Sequence, residues 1–142
     1  MNSGLNFDGL VYDKERGNYH GIVEIATDYF IDVTISPESY DKELVFKLAE
    51  NTFGKIRIKN ESYKEKIAGD LLKLHNEVWN EGKIISKDEF KKRINIQGIL
   101  IFGEGNAELY YDDGDLFWGH TIVVDVDENG LYQEAQIYGW TK

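Results

Sequence analysis

A chain of 142 residues is the usual size of one domain, and a hydrophobic fraction of 42% with 13% aromatics supplies enough apolar surface to build a core. The formal charge is −10, from 26 Asp and Glu against 16 Lys and Arg; a field of that sign argues against nucleic acid and matches a basic protein surface, although surplus charge also serves solubility. With no cysteine, a disulfide framework, a thiolate nucleophile and Cys-ligated metals are excluded, so any chemistry must use carboxylates, the three histidines or hydroxyls.

Taken in chain order, Met1 to Asp8 has neither a basic nor an apolar leader segment, and no apolar run reaches the ~18 residues of a membrane span, so the expectation is a cytoplasmic protein with no membrane partner. Tyr19 to Ala26 and Phe30 to Ile35 read as strands, the second alternating Ile31, Val33 and Ile35 with Phe30, Asp32 and Thr34. The polar segment Asp13 to Asn18 and the short Thr27-Asp28-Tyr29 predict two hairpins, hence an opening antiparallel meander. Ser36-Pro37 predicts a helix start, with Leu44, Val45, Leu48 and Ala49 as the buried stripe of a helix running to about Glu50. Phe53 to Asn60 has no clear period. Ser62 and Glu65 form a capping box for a second helix, with Ile67, Leu71, Leu74 and Val78 on its stripe and an end near Gly82. Ser86 to Glu89 is a second capping box, with Ile85 and Phe90 as its hydrophobic staple, and predicts a short third helix.

From Ile94 the period returns to two. Ile96 to Phe102, Ala107 to Tyr111, Phe117 to Val126 and Leu131 to Gly139 predict a four-stranded meander separated by Gly- and Asp-rich turns. The fold class expected is α+β: a largely antiparallel sheet of N-terminal strands plus this meander, in one domain over residues 1–142, with two to three central helices packed on one face.

Three groupings carry candidate chemistry. Asp125 to Gly130 matches the first positions of a calcium loop, but position 12 is Gln136 and strands replace the flanking helices, so the better reading is a tight turn with Asn129 and Gly130 at positive φ. Asp112, Asp113 and Asp115 with His120 could ligate a cation or perform acid–base work, against the simpler reading of an acidic turn; the discriminator is whether His120 points at the aspartates. Phe117 and Trp118 would alternate on a strand, and two buried aromatics are expected rather than an exposed anchor. His20 and His75 have no triad partner, no phosphate loop or serine nucleophile motif is present, and Trp79 and Trp140 read as lids at the core edge.

The segment Asp113-Gly114-Asp115-Leu116-Phe117-Trp118-Gly119-His120 resembles a stretch of the bacterial domain of unknown function 2262. The resemblance extends to a helix bearing Trp79, the capped Ser86 to Phe90, the strand Ile94 to Phe102 and the ending Ala135, Ile137, Gly139. It implies an intracellular bacterial protein and no established activity.

The leading functional expectation is a non-enzymatic binding protein, an immunity-like inhibitor of a basic toxin, with no cofactor and with contacts among Asp112, Asp113, Asp115, Trp118, His120, Asp127 and Glu128. The alternatives are a metal or hydrolytic site on Asp113, Asp115 and His120, and a structural or self-associating domain.

Overall fold

The computed structural model describes residues 9–139; the readings of Met1 to Asp8 and of Trp140 lie outside them. In chain order the elements are β1 (Val11–Asp13), β2 (Asn18–Ala26), β3 (Tyr29–Ser36), α1 (Lys42–Leu74), a π-helical turn (His75–Trp79), α2 (Lys87–Arg93), β4 (Asn95–Phe102), β5 (Ala107–Asp112), β6 (Ile122–Val126) and β7 (Tyr132–Ile137). The strands form one seven-stranded sheet in sequential order, antiparallel throughout except where β3 pairs with β4 in parallel. That parallel pair follows from the connection, since a chain that crosses over through a long helix returns to the same end of the sheet.

The architecture is α+β, as expected, with differences in detail. The four C-terminal strands pair consecutively but belong to the same sheet as the N-terminal three. The two central helices predicted on either side of Phe53 to Asn60 are a single helix of 33 residues, about 50 Å long. Its buried stripe, Val45, Ala49, Thr52, Phe53, Ile56, Tyr63, Ile67, Ala68 and Leu71, runs unbroken. The period looked interrupted because polar residues occupy stripe positions and bond to the sheet. Thr52 Oγ1 donates to Gly105 O at 2.6 Å, and Asn60 Oδ1 accepts from Tyr111 Oη at 2.8 Å. Ser62 and Glu65 therefore lie inside a helix and start none.

The helix also starts later than Pro37. Residues 37–39 form a turn, Asp41 is the N-cap with its carboxylate accepting from Leu44 N, and Glu38 bends away at φ 57° so that its carboxylate accepts from Gly103 N. Gly103 is required there, because a Cβ would meet Pro37 O at 2.7 Å. The Ser36-Pro37 segment is thus committed to the β4–β5 turn. Ser86 does cap α2, accepting from Glu89 N at 3.1 Å, with Ile85 and Phe90 both buried. Glu65 of α1 binds Lys87 and Lys91 of α2, and those two ammonium groups hold its carboxyl down at about 2.

Ile31, Val33, Ile35, Ile99, Ile101, Leu109, Ile122 and Val124 cover the helix-facing side of the sheet and form the core with the α1 stripe. Further polar ties fix the helix to the strand ends. Arg57 Nε donates to Ile25 O at 3.2 Å, and the buried Tyr63 hydroxyl donates to Gly130 O. Burial pushes the Tyr63 phenol up to about 12, so it stays a donor at any working pH. Tyr63→Phe leaves the Gly130 carbonyl without its partner in a buried setting, and urea titration should register a loss of about 1–3 kcal/mol with an unchanged m-value.

Candidate functional site

Two regions assemble the residues singled out by sequence. The first is the corner between β5 and β6. Phe117 to His120 are not the start of a strand; the whole stretch from Asp113 to His120 is a compact loop built around one carboxylate. Asp113 is 2% exposed, its Oδ1 accepts from Asp115 N at 3.0 Å, and its Oδ2 accepts from Phe117 N at 2.9 Å and Gly119 N at 3.0 Å. A charged acceptor taking three amide donors organises a loop strongly.

The backbone it holds is strained. Gly114, Asp115, Trp118 and Gly119 all have positive φ, and at a bulky residue such as Trp118 this conformation is rare and costs on the order of 1 kcal/mol. Gly114 has no substitute, since a Cβ would lie 2.3 Å from Arg93 O. Arg93 closes the contact from the α2 side by donating to Gly114 O.

Phe117 and Trp118 part company as a result. Phe117 is fully buried against His75, Trp79 and Phe90, whereas Trp118 is 59% exposed and packs edge-on to Trp79 with ring centroids 4.6 Å apart. The expectation of two buried aromatics is corrected at Trp118, because the left-handed turn places it on the outside. Trp79 is buried beneath it. His120 turns to Phe117 and Trp79: its Nδ1 lies 2.6 Å from Phe117 O, so the proton sits on Nδ1, and its ring centroid is 5.4 Å from that of Trp79. Among the described residues, no group of three or more His, Asp or Glu is placed to hold a metal ion. Both oxygens of Asp113 are occupied by amides, while Asp112 and Asp115 are exposed.

The π-helical turn brings in residues that sequence reasoning left unconnected. His75, only 5% exposed, has its Nδ1 2.9 Å from Asn76 Oδ1. A cavity of about 220 Å³ lies against this turn, lined by His75, Trp79, Asn80, Glu81, Lys83, Ile85, Arg93, Asp115 and Leu116. π-Turns within helices recur at functional sites, and the helical period gave no sign of this one.

The second region is the sheet face turned away from α1. The seven strands contain the carboxylates Asp13, Glu24, Asp32, Glu108, Asp112, Asp125 and Glu134 and not one lysine or arginine. Lysines and arginines concentrate on the helices: α1 carries eight against five acids, and α2 four against two. The strand pairing sets Glu108 opposite Asp125 and Asp125 opposite Glu134, so three carboxylates cross adjacent strands in one row. Partial burial, and then Glu108 and Glu134, push the Asp125 carboxyl up from its ordinary value. Tyr110 donates to Glu108 Oε1 at 2.6 Å from the neighbouring row. Grooves of about 450 Å³ and 280 Å³ flank Tyr110, the first along Asp32, Thr34 and Leu100, the second along Val123, Asp125 and Gln136. Ile22 and Phe30 stand exposed on the same face.

Asp127 and Glu128 are remote from the Asp113 corner, because β6 separates the two turns by about 15 Å. Asp127 Oδ1 accepts from Asn129 N and Leu131 N, each at 2.9 Å, and shapes the β6–β7 hairpin. Of Asn129 and Gly130, only Gly130 takes a positive φ.

A family model described as an uncharacterized protein conserved in bacteria (DUF2262) matches residues 6–137. The chain belongs to this family. No curated protein and no solved structure matches it. The match of this DUF2262 domain spans both regions, from the first strand to the last. Its description assigns no reaction and no partner, so function has to be argued from the geometry of the corner and the sheet.

For the DUF2262 corner the geometry has a direct consequence. Asp113→Ala strands three amides and should cost about 3 kcal/mol or more, while Asp113→Asn, which keeps one acceptor oxygen, should cost less. Gly114→Ala should be at least as damaging as Asp113→Asn through its clash and its φ. Thermal unfolding of the three variants gives this order.

Proposed function

We propose that this protein is a binding module that docks the open acidic face of its sheet on a basic protein, in the manner of an immunity-like inhibitor that blocks a basic enzyme. One observation carries the reading: seven carboxylates and no lysine or arginine on seven strands, with the lysines and arginines of the described residues kept to the helices and turns. A soluble surface ordinarily intersperses both signs, whereas a broad field of one sign is the arrangement that steers a charged partner. This face also has exposed apolar residues, Ile22 and Phe30, beside its acids, the mixture from which protein interfaces are made. Its field would steer a basic partner to it, raising association rates by factors of about 10 to 1,000.

The row Glu108, Asp125, Glu134 supports the same reading from another direction. Like charges directly opposite on neighbouring strands destabilise a sheet by roughly 0.2–1 kcal/mol per pair, so the row is a cost that a cationic partner would relieve. The carboxylate–histidine reading of the corner has no comparable support, since Asp113 is spent on the loop and His120 on Phe117 O.

Two outcomes test this. The first concerns the row itself. A carboxyl raised above its ordinary value is unfavourable when ionised in the folded state, so stability should rise as pH falls through the raised value towards the ordinary one. Asp125→Asn should therefore raise Tm at neutral pH, and the gain should shrink on acidification and with added salt.

The second concerns the partner. A basic protein captured from host lysate, once purified, should bind with an affinity that falls steeply with NaCl concentration. Reversal at Glu108→Lys, Asp125→Lys and Glu134→Lys should weaken it roughly a hundredfold or more. Reversal at Asp127→Lys and Glu128→Lys should change it little. Equal losses from both sets, or none from the first, would refute the sheet-face reading.

A further inference from the structure

The cavity at the π-helical turn is separate from the open sheet face and carries a reading of its own. Its most buried polar side chain is His75, 5% exposed. Asn76 fixes that ring: Asn76 Nδ2 donates to Ile85 O at 3.0 Å and its Oδ1 accepts from Ile85 N at 3.1 Å, so the amide cannot turn over. The atom facing His75 Nδ1 is then an oxygen, and Nδ1 must carry the proton. Nε2 is left as a lone-pair acceptor at the edge of a largely buried residue, open to the cavity and with no hydrogen-bond partner among the described residues. The ring lines the cavity.

Around the same cavity stand two carboxylates, Glu81 and Asp115, and two cations, Lys83 and Arg93. Among the described residues none of the four pairs with another; Arg93 donates one nitrogen to Gly114 O, and its ion pair with Glu89 through the other is long at 3.9 Å and runs along α2. Opposite charges lining a volume of about 220 Å³ without closing on each other leave room for a molecule that carries both signs. Trp79, Ile85 and Leu116 supply an apolar wall.

We infer that this cavity binds a small zwitterion of the amino-acid class. Its ammonium group would donate to His75 Nε2 and face Asp115 and Glu81; its carboxylate would face Arg93 and Lys83; its side chain would lie on Trp79. The proposal is independent of the sheet-face reading, since no residue is common to the two.

The test uses the full chain and the standard L-amino acids singly at millimolar concentration, read by thermal shift and by tryptophan fluorescence, because Trp79 walls the cavity. At least one should give a saturable fluorescence change and a Tm that climbs with concentration, as binding to the folded state requires. Its decarboxylated amine and its deaminated acid should each bind roughly tenfold or more weakly. Lys83→Ala and Asp115→Asn should weaken binding by a similar factor without unfolding the protein, since Lys83 is exposed and asparagine tolerates the positive φ at 115. No saturable response to any amino acid, equal binding of the one-ended analogues, or unweakened binding by both variants would each overturn the proposal.

Discussion

A single helix has to cover one face of a seven-stranded sheet, and the other features of the molecule follow from how it does so. Seven strands at ~4.8 Å spacing make a sheet about 29 Å across, and a helix about 50 Å long is enough to span it. One face is consequently dry and the other wet. The dry face takes the branched aliphatic residues of β2 to β7, and the helix supplies the matching stripe. The wet face has no second helical layer to satisfy, so its composition is free to serve something other than packing. That freedom makes the absence of lysine and arginine from all seven strands informative, with Arg16 of the β1–β2 turn the cation that reaches the groove beside Asp32.

The same helix explains why the polar ties lie where they do. Thr52, Asn60 and Tyr63 occupy stripe positions and reach the turn after β4, the strand β5 and the turn before β7. Each is a buried or half-buried polar group with its partner, and such pairs specify one docking position for the helix where a wholly aliphatic stripe would tolerate sliding. The Asp113 loop plays the corresponding part at the end of the helix. It stores strain at Asp115 and Trp118 and offsets it with three charge-assisted bonds, and it leans on α2 through Gly114 and Arg93. The corner is therefore rigid without being densely cross-linked on its cavity side.

Strand periods, the two N-terminal hairpins and the Ser86 cap were legible in the sequence because each is a local signal. The long helix was not, because the residues that anchor it to the sheet are polar and break the apolar period that marks a helix. The start at Asp41 was hidden for a related reason: Ser36-Pro37 has the chemistry of a helix start, but the tertiary demand of Gly103 and Glu38 takes that segment first. At the corner, the octapeptide was visible as unusual, yet alternation misplaced Trp118, since four positive φ angles cannot be read from a segment with only two glycines. The acidic row was present in the sequence only as scattered residues. Glu108, Asp125 and Glu134 meet through strand register, which no local pattern encodes.

Charge separation between the layers has an energetic consequence. The cationic excess of α1 and α2 lies behind the core from the carboxylates of the sheet, too far to neutralise them strongly at physiological salt, where charges are screened over about 8 Å. In the row Glu108, Asp125 and Glu134 the carboxylates therefore repel one another with little internal relief. Folding tolerates this because the core beneath is continuous and the repulsion is small beside it. A cationic surface laid on the face would remove the repulsion and add attraction in one step, so the energy held there in the free protein becomes a difference in favour of the bound one. Affinity of that origin resides largely in the association rate and falls with salt, whereas the Ile22 and Phe30 side chains, indifferent to salt, would slow departure once contact is made.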